Sequence, residues 1–424
     1  MAIRTLSTIA PFVLMASLSA EPISYPNTRK DTVTDDYHGT KIEDPYRWLE
    51  DDNSAETKAW VTEQSKVTSK FLSAIPQRGA IHSRLKELWN YERVGLPEEQ
   101  GGRWFFTKNS GLQDQAVLYV AESLEAEPRL LLDPNALSKD GTVALAQYQP
   151  SEDGSLLAYA TSSGGSDWIE IRVKDVATGK DREDLIKWVK FSGISWAKDG
   201  SGFYYSRYAE PAEGAALTQV NEFQKLYFHK LGTPQGEDVL VYERKDQPRW
   251  GMNGWVTEDG THLIIHLSQG TDPKNRVVFK SLKEKDAKII ELLPDGDASY
   301  DFIGNHGGTF YFLTDLDAPN KRVIAIDTAQ PERKSWKEII PQTANNLDSA
   351  SMVGGKLICS YMKDARDQVT RFDQDGKNPV EIKLPGIGTV VGFGGKERDK
   401  EVFYAFTSFT EPGAIYRMDI ATNE

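Results

Sequence analysis

The spacing of apolar positions changes once along this chain, near residue 91. Between residues 54 and 91 they recur at helical spacing: Trp60, Val67, Phe71 and Ile75, then Ile81, Leu85, Leu88 and Trp89. Asn53-Ser-Ala-Glu56 puts a capping side chain three residues ahead of a glutamate, and Pro76 ends the first run. The pattern predicts two amphipathic helices. Such helices draw most of their stability from burying the apolar stripe, so both require a partner surface.

Past residue 91 the chain reads as short strands split by turns. A turn ending in glycine and followed by an apolar or aromatic strand recurs at Gly102, Gly154, Gly200, Gly260, Gly308, Gly355 and Gly395. Successive spacings are 52, 46, 60, 48, 47 and 40 residues, the length of a four-stranded propeller blade. A Pro/Ala/Gly-rich insertion at residues 210–219 accounts for the 60. Outer strands follow in the first six repeats, for example Arg129-Leu-Leu-Leu132 and Val239-Leu-Val-Tyr242. The seventh has material for three strands only, with Ile415 to Asp419 as an unpaired edge. The expected architecture is mainly β: a seven-bladed β-propeller over residues 91–424, preceded by a short α-helical segment over residues 21–90.

Residues 1–20 stand apart from both. Arg4 precedes a run from Leu6 to Leu18 that is too short to span a bilayer, and small residues lead to Ala20, as in a secretory leader. A periplasmic or secreted protein is expected, with no membrane span. Lys and Arg total 50 against 63 Asp and Glu, a net charge of −13 that argues against a nucleic-acid partner. Cys359 is the only cysteine, so no internal disulfide can form, and its apolar run marks it as a small buried hydrophobe.

A search for chemistry returns little. The Gly-x-Ser-x-Gly elbow is absent; Gly164-Gly-Ser-Asp-Trp168 and Gly193-Ile-Ser-Trp-Ala197 come nearest, both in strand-turn-strand context rather than strand-to-helix. His262 and His266 have the spacing that chelates zinc on a helix, but on a strand they stand about 13 Å apart. No phosphate cradle or calcium loop is present, so neither metal nor cofactor is expected. Ser151-Glu-Asp-Gly154 lacks the tryptophan of a sialidase turn.

Several motifs, taken in order, resemble the prolyl oligopeptidase family. They are Tyr25-Pro-Asn-Thr-Arg-Lys-Asp31, Asp44-Pro-Tyr-Arg-Trp-Leu-Glu-Asp51, Gly165-Ser-Asp-Trp168, Val189-Lys-Phe-Ser192, Asp272-Pro-Lys-Asn-Arg276 and Thr407-Ser-Phe-Thr-Glu-Pro-Gly413. The resemblance implies the front portion of a serine endopeptidase that cleaves short peptides after proline. In that family a propeller gates access to a C-terminal α/β-hydrolase domain that supplies the catalytic triad. The implied partners are therefore that hydrolase domain and short proline-containing peptides, and the chain alone is expected to be inactive. The resemblance also puts Phe191 on the wall of the substrate site, the alternative being a core aromatic, while a second wall position, a cysteine in the family, falls on Thr271. Two other readings remain open: a stand-alone propeller acting as a binding or scaffold module, and the same portion of an oligopeptidase B-like enzyme.

Overall fold

The computed structural model describes residues 23–284 and 286–424. The expected leader lies outside the described residues. The chain divides into two compact units, Met1–Leu88 and Trp89–Glu424.

In the first unit a short hairpin, Thr34–Tyr37 paired with Thr40–Glu43, leads into helices α1 (Ala55–Ser73) and α2 (Arg78–Trp89, whose last residue falls in the second unit). The cap of α1 is Ser54, one residue later than expected. Its Oγ accepts the Thr57 N–H at 3.0 Å, satisfying one of the donors a helix start leaves free. Glu56 instead receives Arg29 at 2.7 Å, and Arg29 stacks 4.9 Å from the Trp48 ring. Trp60 Nε1 donates to Thr28 at 2.9 Å. Arg47 grips Asp44 at 2.6 Å and also Asp35, so the motif residues of residues 28–51 serve to fasten this extended segment to the start of α1.

In the second unit every sheet is an antiparallel meander of consecutive strands. Its hairpin turns explain the glycine repeat. In Ser151-Glu-Asp-Gly-Ser155, Ala197-Lys-Asp-Gly-Ser201 and Thr257-Glu-Asp-Gly-Thr261 the aspartate carboxylate accepts the N–H two residues on at 3.0, 2.9 and 3.0 Å. The glycine between them takes a left-handed conformation, with φ +64° at Gly154, where a Cβ would also stand 2.3 Å from the Gln100 carbonyl.

The expectation of a seven-bladed propeller is overturned. Five sheets carry four strands or more, and a sixth, Thr389–Gly392 with Glu401–Thr407 and Ala414–Asp419, carries three. The second and third sequence repeats fuse into one eight-stranded sheet over residues 143–242. The reason is local: Asp181–Val189, the outer strand of the second repeat, runs on until Val189 pairs with Arg207 of the third. The Tyr208 N–H then reaches the Trp188 carbonyl at 3.1 Å. The three-stranded sheet ends as expected, with Ala414–Asp419 paired on one side only among the described residues.

The cores lie between successive sheets. Phe279 and Leu293 of one sheet pack with Phe310 and Phe312 of the next, and Leu313 and Ile340 of that sheet pack with Leu357 and Cys359 of its successor. Cys359 is fully buried, and burial pushes its thiol up to about 12. The last sheet meets the first, where Phe403 and Trp104 stack edge to face at 5.4 Å and close the ring.

Candidate functional site

Because each sheet is a meander around a closed ring, its links fall at two ends. Turns between first and second strands share one end. Links from second to third strand, and from each outer strand to the next inner strand, share the other. Phe191 lies on an outer-to-inner link, and Trp168 and Thr271 on second-to-third links, so all three belong to the same end of the ring.

Phe191 is 62% exposed, so it is not a core aromatic. Its backbone sits at φ +55°, an unusual conformation for a bulky residue that its surroundings must impose. They do so carbonyl by carbonyl. The Lys190 oxygen accepts Gln224 Nε2 at 2.8 Å, the Phe191 oxygen accepts Asn253 Nδ2 at 3.3 Å, and the Ser192 oxygen accepts Gln147 Nε2 at 2.9 Å. The Gly193 N–H donates back to Asn253 Oδ1 at 3.0 Å. Two strands, through Gln147 and Asn253, and the loop residue Gln224 thus hold one short loop, with Phe191 exposed.

Beside it stands an aromatic group. The Lys190 ammonium lies 5.0 Å from the Trp168 ring and 5.3 Å from that of Phe191. Trp168 packs edge-on against Trp188 and Tyr208, and its Nε1 donates to the Ala216 carbonyl of the insertion at 2.8 Å. A cleft of about 420 Å³ opens against Trp168 and Trp188. Thr161, Ser162, Ser163, Glu170 and Lys187 also line that cleft, and Asp167 stands 3.7 Å from the Lys190 ammonium. Thr271 is exposed on its own turn.

The remaining motif residues have structural positions. Asn275 is buried and spans two sheets, accepting the Tyr300 N–H at 2.6 Å and donating to the Tyr300 carbonyl at 3.0 Å. Arg276 lies 4.4 Å over the Trp250 ring. Ser195 Oγ accepts the Val256 N–H at 2.9 Å, and Ser166 Oγ accepts that of Trp168 at 3.1 Å. His262 stacks edge-on with Phe310, and His266 with Trp255; burial lowers the pKa of both. Among the described residues no serine hydroxyl is hydrogen-bonded to a histidine.

Sequence reasoning passed over His229. It is fully buried, with Nδ1 2.7 Å from Asp238 and Nε2 3.1 Å from Asp184, both carboxylates themselves buried. Tyr205 Oη donates to the other Asp238 oxygen at 2.6 Å. Burial alone would lower the imidazole pKa, but the bonds and charges of Asp238 and Asp184 outweigh it and the net shift is upward. Asp184 belongs to the outer strand of the second repeat and His229 to the third, so the cluster reinforces the fusion at Val189. A histidine in an alternating strand carries no sign that two acids from distant strands will meet it.

The ring interior is walled by the inner strands. A cavity of about 400 Å³ is bounded by residues 256–259, 302–307, Met352, Gly395 and Glu397, and another of about 200 Å³ by residues of the first two sheets together with Trp255 and Val256.

Residues 25–424 match the family model described as "Prolyl oligopeptidase, N-terminal beta-propeller domain". The chain is 39% identical over 411 residues to a prolyl endopeptidase of Elizabethkingia meningoseptica, covering 97% of this chain and 58% of that one. It is 31% identical over 469 residues to a prolyl endopeptidase of Dictyostelium discoideum, covering 95% and 62%. The solved structure of prolyl oligopeptidase B from Galerina marginata, bound to a 35mer hydrolysis and macrocyclization substrate, superposes with a TM-score of 0.86 at 26% identity, over 96% of this chain and 60% of that one. The chain thus spans about three fifths of the length of these relatives. With the ring of meanders, the motifs and the family match in agreement, the chain belongs to the prolyl oligopeptidase family, as its N-terminal β-propeller portion.

Proposed function

We propose that this chain is the substrate-admitting portion of an exported serine endopeptidase that cleaves short peptides after proline, its chemistry supplied by a C-terminal hydrolase domain. The observation that carries the reading is Phe191: an exposed residue at positive φ, its loop pinned by Gln147, Gln224 and Asn253, at one end of a hollow ring of sheets. A phenyl group costs free energy when left in water, roughly 1.5–3 kcal/mol relative to burial. A fold that fixes one outward, next to Trp168 and Lys190, is prepared for an apolar contact. The expected leader at residues 1–20 places the protein in the periplasm or outside the cell in this proposal, and N-terminal sequencing of periplasmic material would test that part.

Covalent catalysis needs a nucleophile within reach of its base. The chain by itself is therefore expected to leave a Gly-Pro reporter peptide uncut and to resist a serine-reactive fluorophosphonate. Joined after Glu424 to the C-terminal part of the Elizabethkingia relative that it does not cover, it should cleave the reporter. In that chimera Phe191→Ala should raise KM about tenfold with kcat little changed, as for loss of one apolar contact made equally in ground and transition states. A soluble chimera that shows no post-proline cleavage, or an unchanged KM in the variant, would overturn the assignment.

A further inference from the structure

Three residues before Phe191, Trp188 shows the same two features. It too is a bulky residue at positive φ, +59° against +55°. Its backbone too is held from outside the loop. The Gln235 side-chain amide accepts the Lys187 N–H at 3.1 Å and donates to the Lys187 carbonyl at 3.0 Å, while the Tyr208 N–H donates to the Trp188 carbonyl at 3.1 Å. Strain of this kind persists only where the surroundings over-determine it, and it gathers at binding and catalytic sites. The Trp188 ring stands at 87° to that of Trp168, centroids 5.8 Å apart, and Trp168 is itself fixed through its Nε1 bond to Ala216. The two indoles thus make a right-angled corner in the wall of the 420 Å³ cleft. The Lys190 ammonium, near both Trp168 and Phe191, makes this corner continuous with the Phe191 surface.

The polar side of the cleft consists chiefly of donors. Thr161, Ser162 and Ser163 are partly or fully exposed, and among the described residues their hydroxyls bond to no protein group. The Lys187 ammonium lies a loose 4.0 Å from Glu170, whose other oxygen receives Arg172 at 3.4 Å. Hydroxyl and ammonium donors are free, whereas the one carboxylate is already shared. A proline-rich peptide is the complement of such a surface. Each proline brings a carbonyl acceptor and no N–H. Its pyrrolidine rings are compact and apolar, and its polyproline II form is set before binding, so little freedom is lost on docking. Aromatic-lined grooves recognise such segments in this way. We propose that the cleft between Trp168 and Trp188 is a peptide subsite distinct from Phe191, which takes a proline-rich stretch in polyproline II form. One pyrrolidine ring fills the indole corner, and the peptide carbonyls accept from the hydroxyls of residues 161–163 and from Lys187. The inference rests on the reading of this end of the ring as a substrate wall. It narrows the substrate class to peptides that carry proline beyond the residue at which they are cut.

Titration calorimetry on the whole chain tests this without any peptidase activity. The probes are hexaproline and a Gly-Ser hexapeptide, both capped at each end so that they differ in ring and N–H content and not in terminal charge. Hexaproline should bind at one site, and at least tenfold more tightly than the Gly-Ser peptide, on the order of one well-made aromatic contact. Trp188→Gly removes the indole and places at φ +59° the residue that adopts such a backbone without strain, so the variant should fold. It should weaken hexaproline about tenfold. Thr161→Val combined with Ser163→Ala keeps the aromatic corner and removes two donors, and should weaken binding several-fold. Hexaproline binding no tighter than the Gly-Ser peptide, or equal in the parent and both variants, overturns the subsite. Because binding is read on this chain alone, hexaproline binding in a chain whose chimera cuts nothing would condemn the proposed function and leave this inference standing. An active chimera whose N-terminal portion ignores hexaproline would do the opposite.

Discussion

Phe71 on α1 and Phe310 in the sheet over residues 300–340 are the same side chain in two different solvents: the first is 52% exposed, the second not at all. The contrast holds for their surroundings. Along α1 and α2 only Thr57 is buried, and Val61, Phe71, Ile81, Leu85 and Leu88 all show a third or more of their surface to water. In the sheets, Phe310 packs on Phe279, His262 and Phe302 edge to face, between two meanders that each offer an apolar side. A sheet in a ring always has a neighbour of its own kind to cover it. The helix pair has no such neighbour within its own unit.

Truncation separates the two regions most sharply. Phe310→Ala should cost roughly 3–5 kcal/mol in urea unfolding, since it empties a site that closely packed neighbours cannot refill. Phe71→Ala should stay within about 0.5 kcal/mol, like other exposed substitutions. A cost for Phe71→Ala near that of Phe310→Ala would mean that the α1 face is covered in solution, and the comparison would fail.

A smaller effect tests the fused sheet. His229 between Asp184 and Asp238 is stabilised as the imidazolium, so its folded pKa lies above the ordinary histidine value. The sign follows from linkage: the stabilisation is complete below the unfolded pKa and is lost as pH rises through the raised folded one. His229→Gln should cost roughly 3 kcal/mol at acidic pH, since it leaves two buried carboxylates without their cation. The gap between variant and parent should narrow toward alkaline pH. A gap that widens with pH would show that the histidine is buried neutral, as burial makes His262 and His266 tend to be.

These regions also differ in how far the sequence discloses them. The helices, the glycine hairpins and all six outer strands follow from periodicity and turn chemistry, because each depends on residues within one short stretch. The fusion of two repeats does not, since it turns on where Val189 happens to end and on Arg207 meeting it. The candidate site divides the same way. Phe191 is found through a motif, but nothing local says that Gln147, Gln224 and Asn253 hold its loop. The hairpin over residues 393–400 has a visible trace, Gly394-Gly-Lys-Glu-Arg-Asp-Lys400, a charged turn where other repeats have Asp-Gly or Gly-Gly. Its partners are up to 297 positions away, beyond any pattern of spacing.

The smallest expected effect leaves stability untouched and concerns the edge of the three-stranded sheet. Strand Arg276–Ser281 is paired on both sides, with His262–Gln269 and with Ile289–Leu293, whereas Ala414–Asp419 is paired only with Glu401–Thr407 among the described residues. In an antiparallel pair, N–H groups point alternately toward and away from the partner. Amide exchange along residues 414–419 should therefore alternate, fast where the N–H faces outward and slow where it is bonded to residues 401–407. Residues 277–280 should be slow throughout. An open edge is also a template for pairing with another chain, so protection of the outward amides should rise with protein concentration if copies associate there. Uniform, concentration-independent protection of residues 414–419 would show that a further strand already occupies the edge, and the last sheet would then be no different from the four-stranded ones before it.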